Sequence, residues 1–222
     1  MTAILVVLTL VFFVSLDAYR LYLERRREAR KRAVAPAQPF APLAFPRGLF
    51  LDRAHTWARM TDVGELRVGV DELLTQALGG AERVDLPPVG RMLRRGEPLA
   101  TLWRKGRKLT VPTPVDGTVV SHNARLQRNP ELLQGDTYGE GWLAAVWPIE
   151  LREALRELSV GEAARRFLER EVQRLVDFLT LHPAAAASPA LADGAHPFVG
   201  AALQLDERSW IEFQREFCST AS

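Results

Sequence analysis

A rhythm of short apolar runs, each closed by glycine or proline, constrains this fold more than any other feature. LRVGV at Leu66, ERVDLPPVG at Glu82, GEPLATLWRKG at Gly96, KLTVPTPVDGTVVSHN at Lys108 and WLAAVWP at Trp142 follow one another at turn-punctuated intervals. Spacings of roughly ten residues suit strands that fold back repeatedly and leave no room for long helices, so the body reads as a small β sandwich or barrel. One helix interrupts it. DELLTQALGG opens on an acidic cap and ends on two glycines, with Leu73, Leu74, Ala77 and Leu78 on one face. At 222 residues and 47% apolar, the chain can bury a core of one compact domain with extensions on either side.

Ahead of the body, Ala3 to Leu16 is uncharged and strongly apolar. Fourteen residues rise about 21 Å as a helix, and the flanking residues through Arg20 extend it toward the roughly 30 Å hydrocarbon core. Positive charge follows this run instead of preceding it, the reverse of a cleaved signal peptide, so residues 1–34 are expected to be a transmembrane helix with a basic juxtamembrane helix. Arg20, Arg25, Arg26 and Arg27 form the collar. By the positive-inside rule the body then faces the cytoplasm, from a single pass through the inner membrane. Prolines 36, 39, 42 and 46 mark residues 35–48 as a stiff, partly extended linker.

Charge and motif patterns narrow the function class. Residues 1–34 hold seven Lys/Arg against three acids, leaving 22 basic against 24 acidic groups on the rest. A body so balanced has no general nucleic-acid surface. Cys218 is the one cysteine, and the histidines at 55, 122, 182 and 196 lack any paired spacing, so neither a disulfide nor a metal site is expected. No glycine-rich phosphate loop and no catalytic triad can be assembled, and no small-molecule substrate is evident.

The order HTWARM, then LRVGVDELLTQALGGAERVDLPPVG, then GEPLATL, then VPTPVDGTVVSHNARLQRNPELLQGDTYGEGWL resembles the glycine cleavage system H protein family over residues 49 to 147. The resemblance implies a lipoyl-type fold, two small antiparallel sheets packed as a flattened barrel with a short helix. It also implies a carrier, not an enzyme, bearing lipoate in amide linkage on one lysine at a hairpin tip. In the family that lysine follows the glycine opening the preceding strand by ten residues and precedes a turn proline by eight. Counting from Gly96 and from Pro114 reaches the same residue, Gly106, which has no side chain to acylate. Trp103 also stands where the family usually has a glutamate.

Two readings of the tip therefore stay open. In one, Lys105-Gly106 is an ordinary turn, no lipoate is carried, and Trp103, Arg104, Lys105, Arg107 and Lys108 form a contact patch for an acidic partner or for anionic lipid near the anchor. In the other, Lys105 or Lys108 carries lipoate in a shifted register, although a one-residue shift reverses the face a strand side chain presents.

Beyond the body, SVGEAARRFLEREVQRLVDFLTL reads as a helix with Ser159 and Glu162 as a capping box and an apolar stripe from Ala164 to Leu179. An Ala/Pro-rich loop follows, then a short amphipathic helix bearing Trp210, Ile211, Phe213 and Phe217. The whole chain is expected to be mainly β with helical extensions, divided at 1–34, 35–48, 49–150 and 151–222. Three functions fit: a non-lipoylated docking or assembly module in a membrane complex, a tethered lipoyl carrier, or a transport adaptor with a lipoyl-like domain. Adaptors of that third kind face outward and carry a long helical insert that this chain lacks.

Overall fold

The computed structural model describes residues 19–20, 38–182 and 197–219. The chain divides into two units, Met1–Gln38 and Pro39–Ser222. In the first unit the Ala3–Leu16 run, Arg25, Arg26 and Arg27 lie outside the described residues, while Arg20 is helical and exposed. Among the described residues no helix is long and apolar enough to cross a membrane.

Ten strands build the second unit: β1 (Phe50–Leu51), β2 (Thr56–Met60), β3 (Leu66–Val70), β4 (Arg83–Asp85), β5 (Met92–Leu93), β6 (Pro98–Arg104), β7 (Arg107–Pro112), β8 (Gly117–His122), β9 (Trp142–Pro148) and β10 (Ser159–Val160). They form a seven-stranded sheet in the order β10-β1-β2-β3-β9-β8-β5 and a three-stranded sheet β4-β6-β7. Every named pairing is antiparallel. Leu66, Val68, Val119 and Val146 of the large sheet, and Leu102, Leu109 and Val111 of the small one, are buried in one core. Alternation at period two accounts for this: Leu66, Val68 and Val70 face inward while Arg67 between them is exposed.

Helix α1 (Glu72–Leu78) forms where its cap residues place it. The Asp71 carboxylate accepts from the Leu74 amide, and Gly79 closes the end in the left-handed conformation at φ 74°. Two short helices, α2 (Ala124–Arg128) and α3 (Leu132–Gly135), and α4 (Leu151–Arg156) fill connections between strands.

The helix α5 (Glu162–Leu181) starts differently from the sequence expectation. Ser159 is no cap, because Ser159 and Val160 pair with Leu51 and Phe50 as an added edge strand, and Gly161 precedes the helix with no side-chain cap. Held in the sheet two residues ahead of Gly161, Ser159 is not placed to cap the first turn of the helix. The terminal helix α6 (Glu207–Phe217) docks on its own chain, burying Trp210, Phe213 and Phe217. Each such side chain contributes about 1.5–3 kcal/mol. Ile211 points outward, 58% exposed.

The proline-rich strap is fastened to the body. Gln76 accepts from the Ala41 amide at 2.6 Å and donates to its carbonyl at 3.2 Å, and the Glu72 carboxylate accepts from the Ala44 amide. Pro39 bridges to Phe198, where the Phe40 amide donates to the Pro197 carbonyl. Between its prolines the strap keeps the amides of Ala41 and Ala44 as donors, and the α1 side chains Gln76 and Glu72 accept them.

Candidate functional site

The hairpin of β6 and β7 turns through two residues, since Arg104 opposes Arg107 in register. Lys105 has φ 46° and Gly106 φ 77°. Positive φ at both central residues is type I′ geometry, whose twist matches that of the flanking strands. Gly106 occupies its position without strain, and a Cβ there would meet nothing within 4 Å. Lys105 is the costly residue, because a non-glycine side chain in the left-handed region loses about 1 kcal/mol or more. Its backbone amide donates to Glu82 at 3.1 Å, which holds the turn to β4. Lys105 and Gly106 are exposed.

The five patch residues are brought together at this tip but are not equally free. The Trp103 indole donates to Asp85 at 2.6 Å and lies 4.3 Å beneath the Arg83 guanidinium, so its polar edge and one face are occupied. Arg104 approaches Glu82 at 3.9 Å. Arg107 is held by the tail: it pairs with Glu207 at 2.8 Å, donates to the Leu205 carbonyl and stacks 5.3 Å from the Trp210 ring. Lys108 is exposed and shares the Trp103 face of the hairpin, since the two are register partners. The Thr110 amide, on the free edge of β7, donates to the Gln214 side chain. Thus α6 both covers a sheet edge that would otherwise be unpaired and anchors one side of the tip.

A second polar cluster lies in the core beneath α5. His55 is fully buried at φ 59°, with Nδ1 2.7 Å from Asp71 and Nε2 3.2 Å from Glu171. Its left-handed backbone sits at the tight β1–β2 turn, where the His55 amide donates to the Asp52 carbonyl. Glu171 also pairs with Arg174 at 3.0 Å, and Arg174 reaches Glu216 on α6 and stacks 4.7 Å from Phe217. Burial disfavours the imidazolium, but Asp71 and Glu171 outweigh it and raise the His55 pKa to about 9. Burial alone would raise Glu171, yet His55 and Arg174 hold it below the ordinary carboxylate range. The Cys218 thiol is pushed up by burial and by Asp71, which leaves it protonated and unreactive. This chain of charges staples α5 and α6 to the β domain.

Asp71 is the helix cap that the sequence marked, and it is also the nearer partner of His55. The partners Glu171, Arg174 and Glu207 carried no local signal, because each acts across more than 40 residues. Among the other histidines, His182 meets Glu212 at 3.0 Å, while His196 lies outside the described residues. No group of three His, Cys, Asp or Glu side chains is arranged to hold a metal ion among the described residues.

Residues 49–171 match the family model described as "Glycine cleavage H-protein". The match extends past the body into α5 and ends on Glu171, the partner of His55. Over 122 residues the chain is 36% identical to a probable glycine cleavage system H protein of Thermococcus gammatolerans, covering 55% of this chain and 90% of that one. Over 126 residues it is 33% identical to the glycine cleavage system H protein of Thermus thermophilus, covering 57% and 97%. A crystal structure of a glycine cleavage system H protein from Mycobacterium marinum aligns with a TM-score of 0.48 at 26% identity, covering 57% of this chain and 98% of the other.

Proposed function

The chain belongs to the glycine cleavage H-protein family, whose members are carriers and not enzymes, and on that premise we propose that it is a non-lipoylated docking module. The observation that supports this reading is the apex of the β6–β7 hairpin, where the residue reached by both family counts is Gly106. A carrier needs an acylable side chain on a turn that partner enzymes can approach. Here the turn is fixed on one flank by Glu82 and on the other by Glu207 and the Leu205 carbonyl. Such a fixed, basic knob suits recognition of a protein surface better than delivery of a swinging arm.

We further propose that the apolar Ala3–Leu16 run and the collar at Arg20, Arg25, Arg26 and Arg27 hold this module at the cytoplasmic face of the inner membrane. The module would act there as an assembly subunit, concentrated beside its partner complex by the tether.

A second reading is favoured by one feature: Lys105 is exposed at the apex and its ammonium has no ion-pair partner among the described residues. Were Lys105, or Lys108 behind it, the acylated residue, the protein would be a tethered lipoyl carrier. Incubating the full chain with lipoate, ATP and a lipoate–protein ligase separates the two. The docking reading expects no mass change in the native chain and a single added lipoyl group in Gly106→Lys. Lipoylation of the native chain, lost in Lys105→Arg, establishes the carrier reading instead.

A further inference from the structure

The solvent face of the large sheet bears a pair of arginines that the fold itself does not explain. Arg59 and Arg67 are register partners on adjacent antiparallel strands. Side chains so placed have Cβ atoms about 5 Å apart, and like charges directly opposite destabilise a sheet. Neither guanidinium meets a carboxylate among the described residues: Glu65, which leads into β3, pairs with neither, and the chain's ion pairs lie elsewhere. Each is instead held by an indole, Arg59 at 5.8 Å from the Trp57 ring and Arg67 at 5.1 Å from Trp142. Both distances lie within the roughly 6 Å reach of a cation–π contact. These contacts hold the two guanidinium groups against the indoles and spend none of their hydrogen-bond donors.

The same face continues into an exposed apolar end. Arg67 opposes Ala145 on β9, and Trp147, two residues on and therefore on the same face, is 51% exposed. Trp147 opposes Thr118, which opposes Met92, 67% exposed. Arginine, tryptophan and methionine are the side chains enriched where proteins bind proteins.

We propose that this sheet face is a docking surface for an acidic protein segment, one whose carboxylates meet Arg59 and Arg67 while an adjacent apolar side chain packs on Trp147 and Met92. The unneutralised arginine pair selects the partner's sign. By sequence the segment 20–32 carries seven Lys/Arg against two Glu, so its charge does not complement the pair. A lipid surface is a poorer match, since headgroup recognition rests on clusters of four to eight basic residues, and here two stand beside exposed apolar groups. This surface is separate from the β6–β7 tip and does not depend on whether any lysine there is acylated.

The test replaces Thr118, between Met92 and Trp147, with a photoreactive benzoylphenylalanine in the full chain expressed in its native host. The expected result is one protein adduct whose cross-linked peptide is rich in Asp and Glu. Arg59→Gln/Arg67→Gln should cut the adduct at least about tenfold while leaving the thermal midpoint nearly unchanged, because relief of the like-charge pair offsets the two lost cation–π contacts. A merely structural pair would instead lower the midpoint. In Arg59→Glu/Arg67→Glu, changing the captured segment's carboxylates to lysine should restore the adduct. Absence of a protein adduct, cross-linking to lipid, capture of a segment without acidic residues, or insensitivity to the arginine changes would each overturn the proposal.

Discussion

The buried His55 cluster makes stability depend on pH in a window where most carboxylates and lysines are silent. His55 has no solvent exposure, contacts Asp71 at 2.7 Å and Glu171 at 3.2 Å, and titrates at about 9 in the folded chain. Unfolded, it returns to about 6.5. Because the folded value is the higher one, the stabilisation is fully present below pH 6.5 and is lost as pH rises through 9. The full difference amounts to about 3 kcal/mol, and roughly two thirds of it disappears between pH 6.5 and 8.5. The depressed Glu171 value describes the same contact from its other side and is not added. In a chain of this size the loss corresponds to a fall of roughly 4–8 °C in the thermal midpoint. The assay is thermal and urea unfolding of the full-length chain at pH 6.5, 7.5 and 8.5, alongside His55→Asn, which tolerates the left-handed backbone but cannot titrate. The variant should be less stable at pH 6.5 and change little by pH 8.5, so the difference between the two slopes isolates His55. Wild-type stability that is as flat as the variant's over this range would refute the charged-clasp assignment.

Other positions give further expectations. Asp71→Ala removes both the α1 cap and the nearer carboxylate of His55, and should destabilise by about 3–5 kcal/mol in urea unfolding. In Gly69→Ala the new methyl would lie 2.5 Å from the Trp57 ring, which predicts a loss of about 1–3 kcal/mol and a changed tryptophan fluorescence maximum. Arg107→Ala releases the tail from the hairpin, at about 1–2 kcal/mol, and should speed hydrogen exchange at the Thr110 amide while leaving the large sheet unaffected.

The elements whose signals are local were legible in the sequence. Helix α1 carried its cap at Asp71 and its stop at Gly79, and the Lys105-Gly106 turn announced itself through the glycine that positive φ requires. The strand runs at Leu66, Lys108 and Trp142 likewise became β3, β7–β8 and β9. What stayed hidden depends on pairings distant in sequence. Ser159 matched a cap pattern, yet β1, more than 100 residues earlier, claimed it as a strand. The tip residues read as one basic patch, but the tail divides them, leaving Lys105 and Lys108 exposed and drawing Arg107 onto Glu207 and Trp210. Arg59 and Arg67 are separated by seven residues, and only the register of β2 against β3 reveals them as opposed charges. Short-range propensity cannot encode such partners, because each is selected by where the core places a whole element.

The central claim, a carrier fold retained as a docking module, is tested most directly by the intact mass of the full chain purified from membranes of its native host. The account predicts the unmodified mass of the polypeptide, with the protein recovered in the membrane fraction. A mass raised by one lipoyl group, mapped to Lys105 or Lys108, would contradict it and make the protein a tethered carrier.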